Sequence, residues 1–197
     1  MKTRKTILAL VLAGLFGTTA MASGNLRVNI APGNNEMADV AISNLKMSTF
    51  KISVTDEYGD VIFNKETKSP ANDYKRSYDF SRLEDGTYFF TVKVDNETTE
   101  TKFDIERGKM KIIEEKKSID PVFLMDNKQL KLSYLNFGQE NTNLYVYDRN
   151  RNLVYEKDLK SGFVTHHGID FSKAPRGNYE VVLSSGNDVH SYDVFID

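Results

Sequence analysis

No cysteine occurs in the 197 residues, so disulfides, thiolate catalysis, thiolate metal sites and lipid attachment through an N-terminal cysteine are all excluded. Each folded unit must therefore bury enough apolar surface unaided. Histidine is scarce, with three copies, at His166, His167 and His190. A basic surplus is missing as well: 26 Lys and Arg stand against 28 Asp and Glu. Such a balance does not mark a nucleic-acid or anionic-membrane binder. The apolar stretch from Ile7 to Phe16 is about ten residues, roughly half of a bilayer-spanning helix. Beyond it, no segment keeps a 3.6-residue apolar period, which argues against helices.

What the chain does have begins with Met1-Lys2-Thr3-Arg4-Lys5, continues into that apolar stretch, and passes through small residues to Ala20-Met21-Ala22. This order predicts a secretory signal peptide over residues 1–22, with cleavage after Ala22 and no transmembrane anchor. Removing Lys2, Arg4 and Lys5 leaves 23 basic against 28 acidic side chains. The mature chain is expected to be soluble and acidic. Its supply of Phe and Tyr, 12 and 10 residues, is ample for apolar cores.

A repeat organises the remainder. At an offset of 92 residues, "FKISVTDEYGDVIFNK" from Phe50 lies over "TNLYVYDRNRNLVYEK" from Thr142, and "VAISNL" from Val40 over "LSYLNF" from Leu132. After one deletion, "YDFSRLEDGTYFFTV" (Tyr78 to Val92) lies over "IDFSKAPRGNYEVVL" (Ile169 to Leu183). Self-similarity on this scale indicates two copies of one domain. Within each copy apolar residues alternate at period two, as in Phe50-Ile52-Val54 and Tyr179-Val181-Leu183, the pattern of strands with one buried face. Turn sequences such as "DEYGD", "VDNE" and "SSGND" separate them. The expected fold is all-β: two tandem immunoglobulin-like, or fibronectin III-like, β-sandwiches.

The phrase around Gly86 and Tyr88, repeated at Gly177 and Tyr179, predicts a structural corner. Glycine allows a sharp bend, and the tyrosine that follows packs its ring inward while its hydroxyl returns a hydrogen bond to the loop. Phe90 takes the place where immunoglobulins put a core cysteine.

Asp56, Gly59, Asp79, Phe80, Ser81, Leu83, Gly86 and Tyr88, with Asp148, Asp170, Phe171, Ser172, Gly177 and Tyr179 in the second copy, carry a family likeness. Their pattern resembles the C-terminal sorting domain of type IX secretion, common in Bacteroidetes, and other small immunoglobulin-like modules of secreted proteins from those bacteria. The resemblance implies export and a fold rather than a chemistry. The second copy departs from the pattern at Arg151 and Ala174, where the first has Gly59 and Leu83. Sorting is the alternative to a binding or structural role, and is confined to the second copy.

Catalytic and metal chemistry find little footing. Adjacent His166 and His167 point to opposite faces of a strand, so a metal site would need one of them with His190 and an acid such as Asp170; a polar loop is the plainer explanation. "DRNRN" (Asp148 to Asn152) alternates oxygen ligands, but Leu153 and Leu159 occupy the glycine and glutamate positions of an EF-hand, which favours a hairpin turn. Ser81 and Ser172 lack a glycine-flanked elbow and are expected to bond local backbone amides. Neither catalytic residue, metal nor cofactor is assigned. Phe89, Tyr145 and Tyr147, on strand faces opposite the core, form a candidate binding surface for an unknown protein or carbohydrate partner, or else pack where the two sandwiches touch.

The division expected from the sequence is a first domain over residues 23–108 and a second over 109–197, joined by a short linker at Arg107 to Lys109. Met110, Ile112 and Ile113 then belong to the opening strand of the second domain, and "NLRVNI" from Asn25 opens the first. The functional expectation is an exported, non-enzymatic protein with a binding or structural role, periplasmic, outer-membrane-associated or extracellular. A type IX cargo or sorting module is the alternative, and a hydrolase or metal-binding protein the weaker one.

Overall fold

Alternation of buried and exposed side chains, clearest in the central strands, sets the architecture of fifteen strands seen in the computed structural model, which describes residues 25–34 and 36–197. The predicted signal peptide lies outside the described residues. In chain order the strands are β1 (Arg27–Pro32), β2 (Met37–Ser48), β3 (Lys51–Asp56), β4 (Val61–Glu66), β5 (Ala71–Asp79), β6 (Gly86–Val94), β7 (Glu97–Glu106) and β8 (Lys109–Ile119). The second half comprises β9 (Val122–Asp126), β10 (Gln129–Leu135), β11 (Thr142–Asp148), β12 (Leu153–Leu159), β13 (Val164–Asp170), β14 (Gly177–Ser185) and β15 (Asp188–Ile196). No helix occurs among the described residues, and thus none long and apolar enough to cross a membrane.

These strands make two sandwiches in tandem. The first packs a sheet ordered β1-β2-β5 on one ordered β4-β3-β6-β7-β8; the second packs β13-β10-β9 on β12-β11-β14-β15. All pairings are antiparallel, which lets one face of each sheet meet the core while the other meets water. The first core is aromatic. Phe50, Phe90 and Phe103 are fully buried, and the Tyr78 ring meets Phe63 and Phe90 edge-on at 5.6 and 5.2 Å. The second core is more aliphatic, built on Leu130, Leu144, Val181, Leu183 and Ile196 beside Tyr134, Phe171 and Tyr179. Val181 stands where the first copy has Phe90.

One expectation is overturned. Met110 and Ile112 do not open the second sandwich, because β8 pairs along the whole of β7, with Met110 buried in the first core and Ile112 packed against it. The cause lies in the supposed linker. Arg107 and Gly108 both adopt left-handed backbone, φ 52° and 74°, the geometry of a two-residue hairpin turn that returns the chain beside the strand just made. The passage between sandwiches falls instead at Asp120-Pro121, where proline supplies no backbone donor for a continuing ladder. The Asp120 amide donates to the Asn96 carbonyl at 2.8 Å.

The joint itself is polar. Lys93 and Lys116 of the first sandwich pair with Asp120 at 2.7 Å and with Asp188 of β15 at 2.9 Å. All four side chains are a third or more exposed, and ion pairs so placed contribute about 0–1 kcal/mol each.

Candidate functional site

The features that repeat most faithfully gather at one end of each sandwich. Where β5 runs out, the Asp79 carboxylate accepts the Ser81 amide at 3.0 Å, the Phe80 amide donates to Glu36 O at 3.0 Å, and the Leu83 amide donates to Phe80 O at 2.8 Å. In the second copy Asp170 accepts from Ser172 at 2.8 Å, Phe171 donates to Lys128 O at 2.7 Å, and Ala174 donates to Phe171 O at 3.0 Å. The two serines therefore serve turns. Hydrogen bonds from the Ser81 hydroxyl and amide hold the Asp79 carboxyl below its usual range, and the Ser172 amide and hydroxyl do the same for Asp170.

Each loop is closed by a tyrosine. Tyr88 donates its hydroxyl to Glu84 O at 2.8 Å, its ring stacked 5.6 Å from Phe103; Tyr179 donates to Pro175 O at 2.8 Å beside Phe171. Both rings are buried. Removing only the hydroxyl, in Tyr88→Phe or Tyr179→Phe, is expected to cost about 0.5–1.5 kcal/mol, read as a lower urea midpoint. Burial, together with the nearby carboxylates Glu84, Asp56, Asp85 and Glu57, pushes the Tyr88 hydroxyl pKa up. Burial and the neighbouring Tyr74 hydroxyl push Tyr78 up as well. A raised acid pKa stabilises the fold while the group stays protonated. The stability that Tyr88 and Tyr78 contribute is thus expected to be fully present below about pH 10 and to fall as pH rises above it, offset in part by Tyr74, whose pKa, against burial, the Tyr78 and Lys65 hydrogen bonds bring down, checked by urea titration at stepwise alkaline pH.

Each glycine directly follows a bend, at Asp85 and at Arg176. Gly86 and Gly177 are the first residues of β6 and β14, and Gly86 is not among the residues of positive φ. The chain first turns at residues 81–83 and 172–174, upstream of those bends. A Cβ on Gly86 would lie 3.7 Å from the Tyr88 ring and hydroxyl, so the glycine is where that tyrosine folds back.

Beside each corner lies an aspartate turn. Asp56 Oδ1 accepts the amides of Tyr58 and Asp60, each at 2.9 Å; Asp148 Oδ1 accepts those of Asn150 and Asn152 at 2.8 and 2.9 Å, and its Oδ2 accepts the Asn152 side chain at 2.9 Å. Bonds from Asn152 hold the Asp148 carboxyl below its usual range. Both carboxylate oxygens are thereby committed to "DRNRN" itself. The turn requires left-handed backbone at its fourth residue, which is Gly59 with φ 88° in the first copy and Arg151 with φ 61° in the second. Gly59→Ala is expected to destabilise by about 1–2 kcal/mol and Arg151→Gly to be neutral or stabilising, compared by thermal unfolding.

The histidines do not converge. His166 meets Ser133 at 3.0 Å, His167 Nε2 meets the Tyr155 hydroxyl at 2.8 Å, and His190 sits at the joint, 3.9 Å from Asp120 and beside Tyr134. Burial lowers the pKa of both His167 and His190. Among the described residues no three His, Cys, Asp or Glu side chains are grouped to hold a metal ion.

Phe89 and the two tyrosines are not brought together either. Phe89 lies on β6 between Thr55 and Lys102, whereas Tyr145 and Tyr147 stack on β11, ring centres 6.4 Å apart, with Val182 and Glu180 across from them. All three are half-buried, and none belongs to the ion pairs of the joint. The outer face of β11 is a small aromatic platform with acidic neighbours.

Asn44 and Asn136 stand at the same place in the repeat, and neither was among the candidate residues. Both are buried, Asn44 within β2 and Asn136 directly after β10. Asn136 donates to Glu140 O at 2.8 Å and Thr142 Oγ1 at 3.2 Å, and accepts the Glu140 amide at 3.0 Å. Asn44 donates to Lys46 O at 2.9 Å and Ser48 Oγ at 3.2 Å. A polar residue shared by both copies inside an apolar stretch was the signal that marked them.

A cleft of about 550 Å³ lies at the corner end of the second sandwich, floored by Val146, Phe171 and Tyr179 and rimmed by Arg149 and Arg176. Ala174 lines it where the first copy has Leu83, packed against its core.

Residues 26–106 match the family described as a secretion system C-terminal sorting domain. The match covers β1 to β7, and so falls on the first copy, not on the second to which a sorting role was assigned. The match spans less than half of the chain. No curated protein matches the chain in sequence. Among solved structures, the BSP domain of a biofilm-associated protein is 12% identical over 85% of this chain and 29% of its own, TM-score 0.29. A two-domain fibronectin type III segment of chicken tenascin is 12% identical over 86% and 98%, TM-score 0.28. The native alpha-2-macroglobulin of Escherichia coli, domains NIE-MG1, is 9% identical over 88% and 99%, TM-score 0.30. The chain thus spans under a third of the biofilm-associated structure. Scores this low leave the fold to be argued from the strands themselves.

Proposed function

We propose that the chain is an exported, non-enzymatic protein whose two sandwiches form a binding or structural module at the bacterial envelope or outside it. The units are divided near Asp120-Pro121, with β8 in the first. The observation that carries this reading is the place of the sorting-domain match, over residues 26–106 with a complete second sandwich following in the same chain. Support for a role without catalysis comes from the polar groups themselves: Asp79, Asp148, Asp170, Ser81 and Ser172 are taken up by turns, and the histidines are dispersed. The partner is a protein or a carbohydrate, and the Tyr145–Tyr147 platform is its docking face, offering aromatic area with little entropy loss.

Cell fractionation tests the export reading. The full chain is expected outside the inner membrane with residues 1–22 removed, and uncleaved protein in the cytoplasm contradicts it. Loss of export in a strain lacking the type IX machinery, with a working general secretion pathway, favours the sorting alternative, which the family match supports for the first copy.

A further inference from the structure

The corner ends of the two sandwiches share a backbone plan and differ in nearly everything they present. In the first copy the end carries Asp56, Glu57, Asp60, Glu84 and Asp85, five carboxylates; the equivalent places in the second hold Asp148, Arg149, Asn152, Pro175 and Arg176, with Arg151 in place of Gly59. Arg82 and Lys173 occupy matching positions and cancel in the comparison. One end is acidic, the other basic.

Shape differs in the same sense. The first end is filled: Leu83 and Tyr78 pack into its core, and Tyr58 stands out from the aspartate turn with 84% of its surface exposed. At the second end Ala174 and Ile169 replace Leu83 and Tyr78, and the cleft opens between the sheets. Its floor is apolar, and its two arginines form no ion pair among the described residues. An exposed tyrosine ringed by carboxylates and an apolar hollow ringed by arginines are complementary in both charge and form.

We infer that the occupant of the cleft is a second copy of this chain, which inserts Tyr58 and its acidic turn between Arg149 and Arg176. The two surfaces are different patches on different sandwiches, so the contact is heterologous and runs head to tail, into open chains or closed rings rather than a two-fold dimer. Arginine suits the rim because its planar fork takes a carboxylate bidentately and also stacks on an aromatic ring. This deepens the structural reading above and rests on it only in part, since it is tested on purified protein irrespective of export.

The test is sedimentation velocity of the full mature chain over a range of concentration and salt. Wild type is expected to assemble as concentration rises and to dissociate in high salt. A knob variant, Glu57→Arg with Tyr58→Ala, and a hollow variant, Arg176→Glu with Ala174→Leu, should each associate at least about tenfold more weakly. Mixed together, the knob variant supplies an intact hollow and the hollow variant an intact knob, so the two are expected to pair as a heterodimer and nothing larger. Arg176→Glu alone, a surface change, guards against misfolding of the filled cleft. A wild type that stays monomeric at every concentration overturns the inference, as do variants that assemble unchanged or a mixture that fails to pair. So does a cleft that takes an acidic peptide or a sulfated sugar while the protein sediments as a monomer.

Discussion

Phe90→Ala is expected to destabilise the first sandwich by about 3–5 kcal/mol, a large part of what holds a domain of this size together. Phe90 is wholly buried, hydrogen-bonded strands flank it on both sides at Val54 and Thr101, and the Tyr78 ring rests edge-on against it. Sheet backbones on either side cannot close over the space that a phenyl ring leaves, so most of the cavity persists. No disulfide limits the unfolded chain, and the whole deficit appears in the equilibrium. The second sandwich shares no core residue with the first and meets it through exposed ion pairs, so its own transition should stay in place. Urea unfolding followed by near-ultraviolet tyrosine signals checks this. Two separated transitions are expected in the variant, the earlier belonging to residues before Asp120.

Asn136→Ala should cost the second sandwich about 2–4 kcal/mol, since three hydrogen bonds are lost at a site almost closed to water. The amide and carbonyl of Glu140 would lose their partner together, and the loop from Asn136 to Thr142 its brace. Thr142 is itself fully buried and would keep only Glu140 O and Ser185 Oγ. Asn136→Asp is the informative companion. It keeps the acceptor for the Glu140 amide but turns the two donors into a buried carboxylate facing a carbonyl, and should be at least as damaging near neutral pH and milder in acid, where the carboxyl is protonated. Thermal unfolding across pH distinguishes the pair.

Much of the fold was written locally. Period-two alternation in segments such as Phe50-Ile52-Val54 and Tyr179-Val181-Leu183 specifies a strand and its buried face together, because successive side chains leave a pleated backbone on opposite sides. The repeat at offset 92 then fixed the number of sandwiches. Pairing was harder to read. Met110 and Ile112 form a strand that suits either neighbour, and the left-handed backbone of Arg107 and Gly108 decides in favour of β7. Arginine is an unlikely flag for that conformation, so the turn passed for a linker.

The candidate surface shows the same limit. Ala174 in place of Leu83 was visible as a departure from the pattern, but a lost side chain becomes a cleft only when Ile169, Phe171 and Tyr179 meet across two sheets. Tyr145 and Tyr147, two residues apart on one strand, had to share a face, and they do. Phe89 lies in the other copy, and no local pattern states which strands will be neighbours across a joint.

Amide hydrogen exchange on the full chain, wild type beside Phe90→Ala, tests the central claim of two separately cored sandwiches most directly. Exchange should quicken in β2, β3, β6, β7 and, with them, β8, while β10, β11, β14 and β15 keep their wild-type protection. Equal acceleration on both sides of Asp120-Pro121, or a β8 that keeps the protection of the second half, would contradict it.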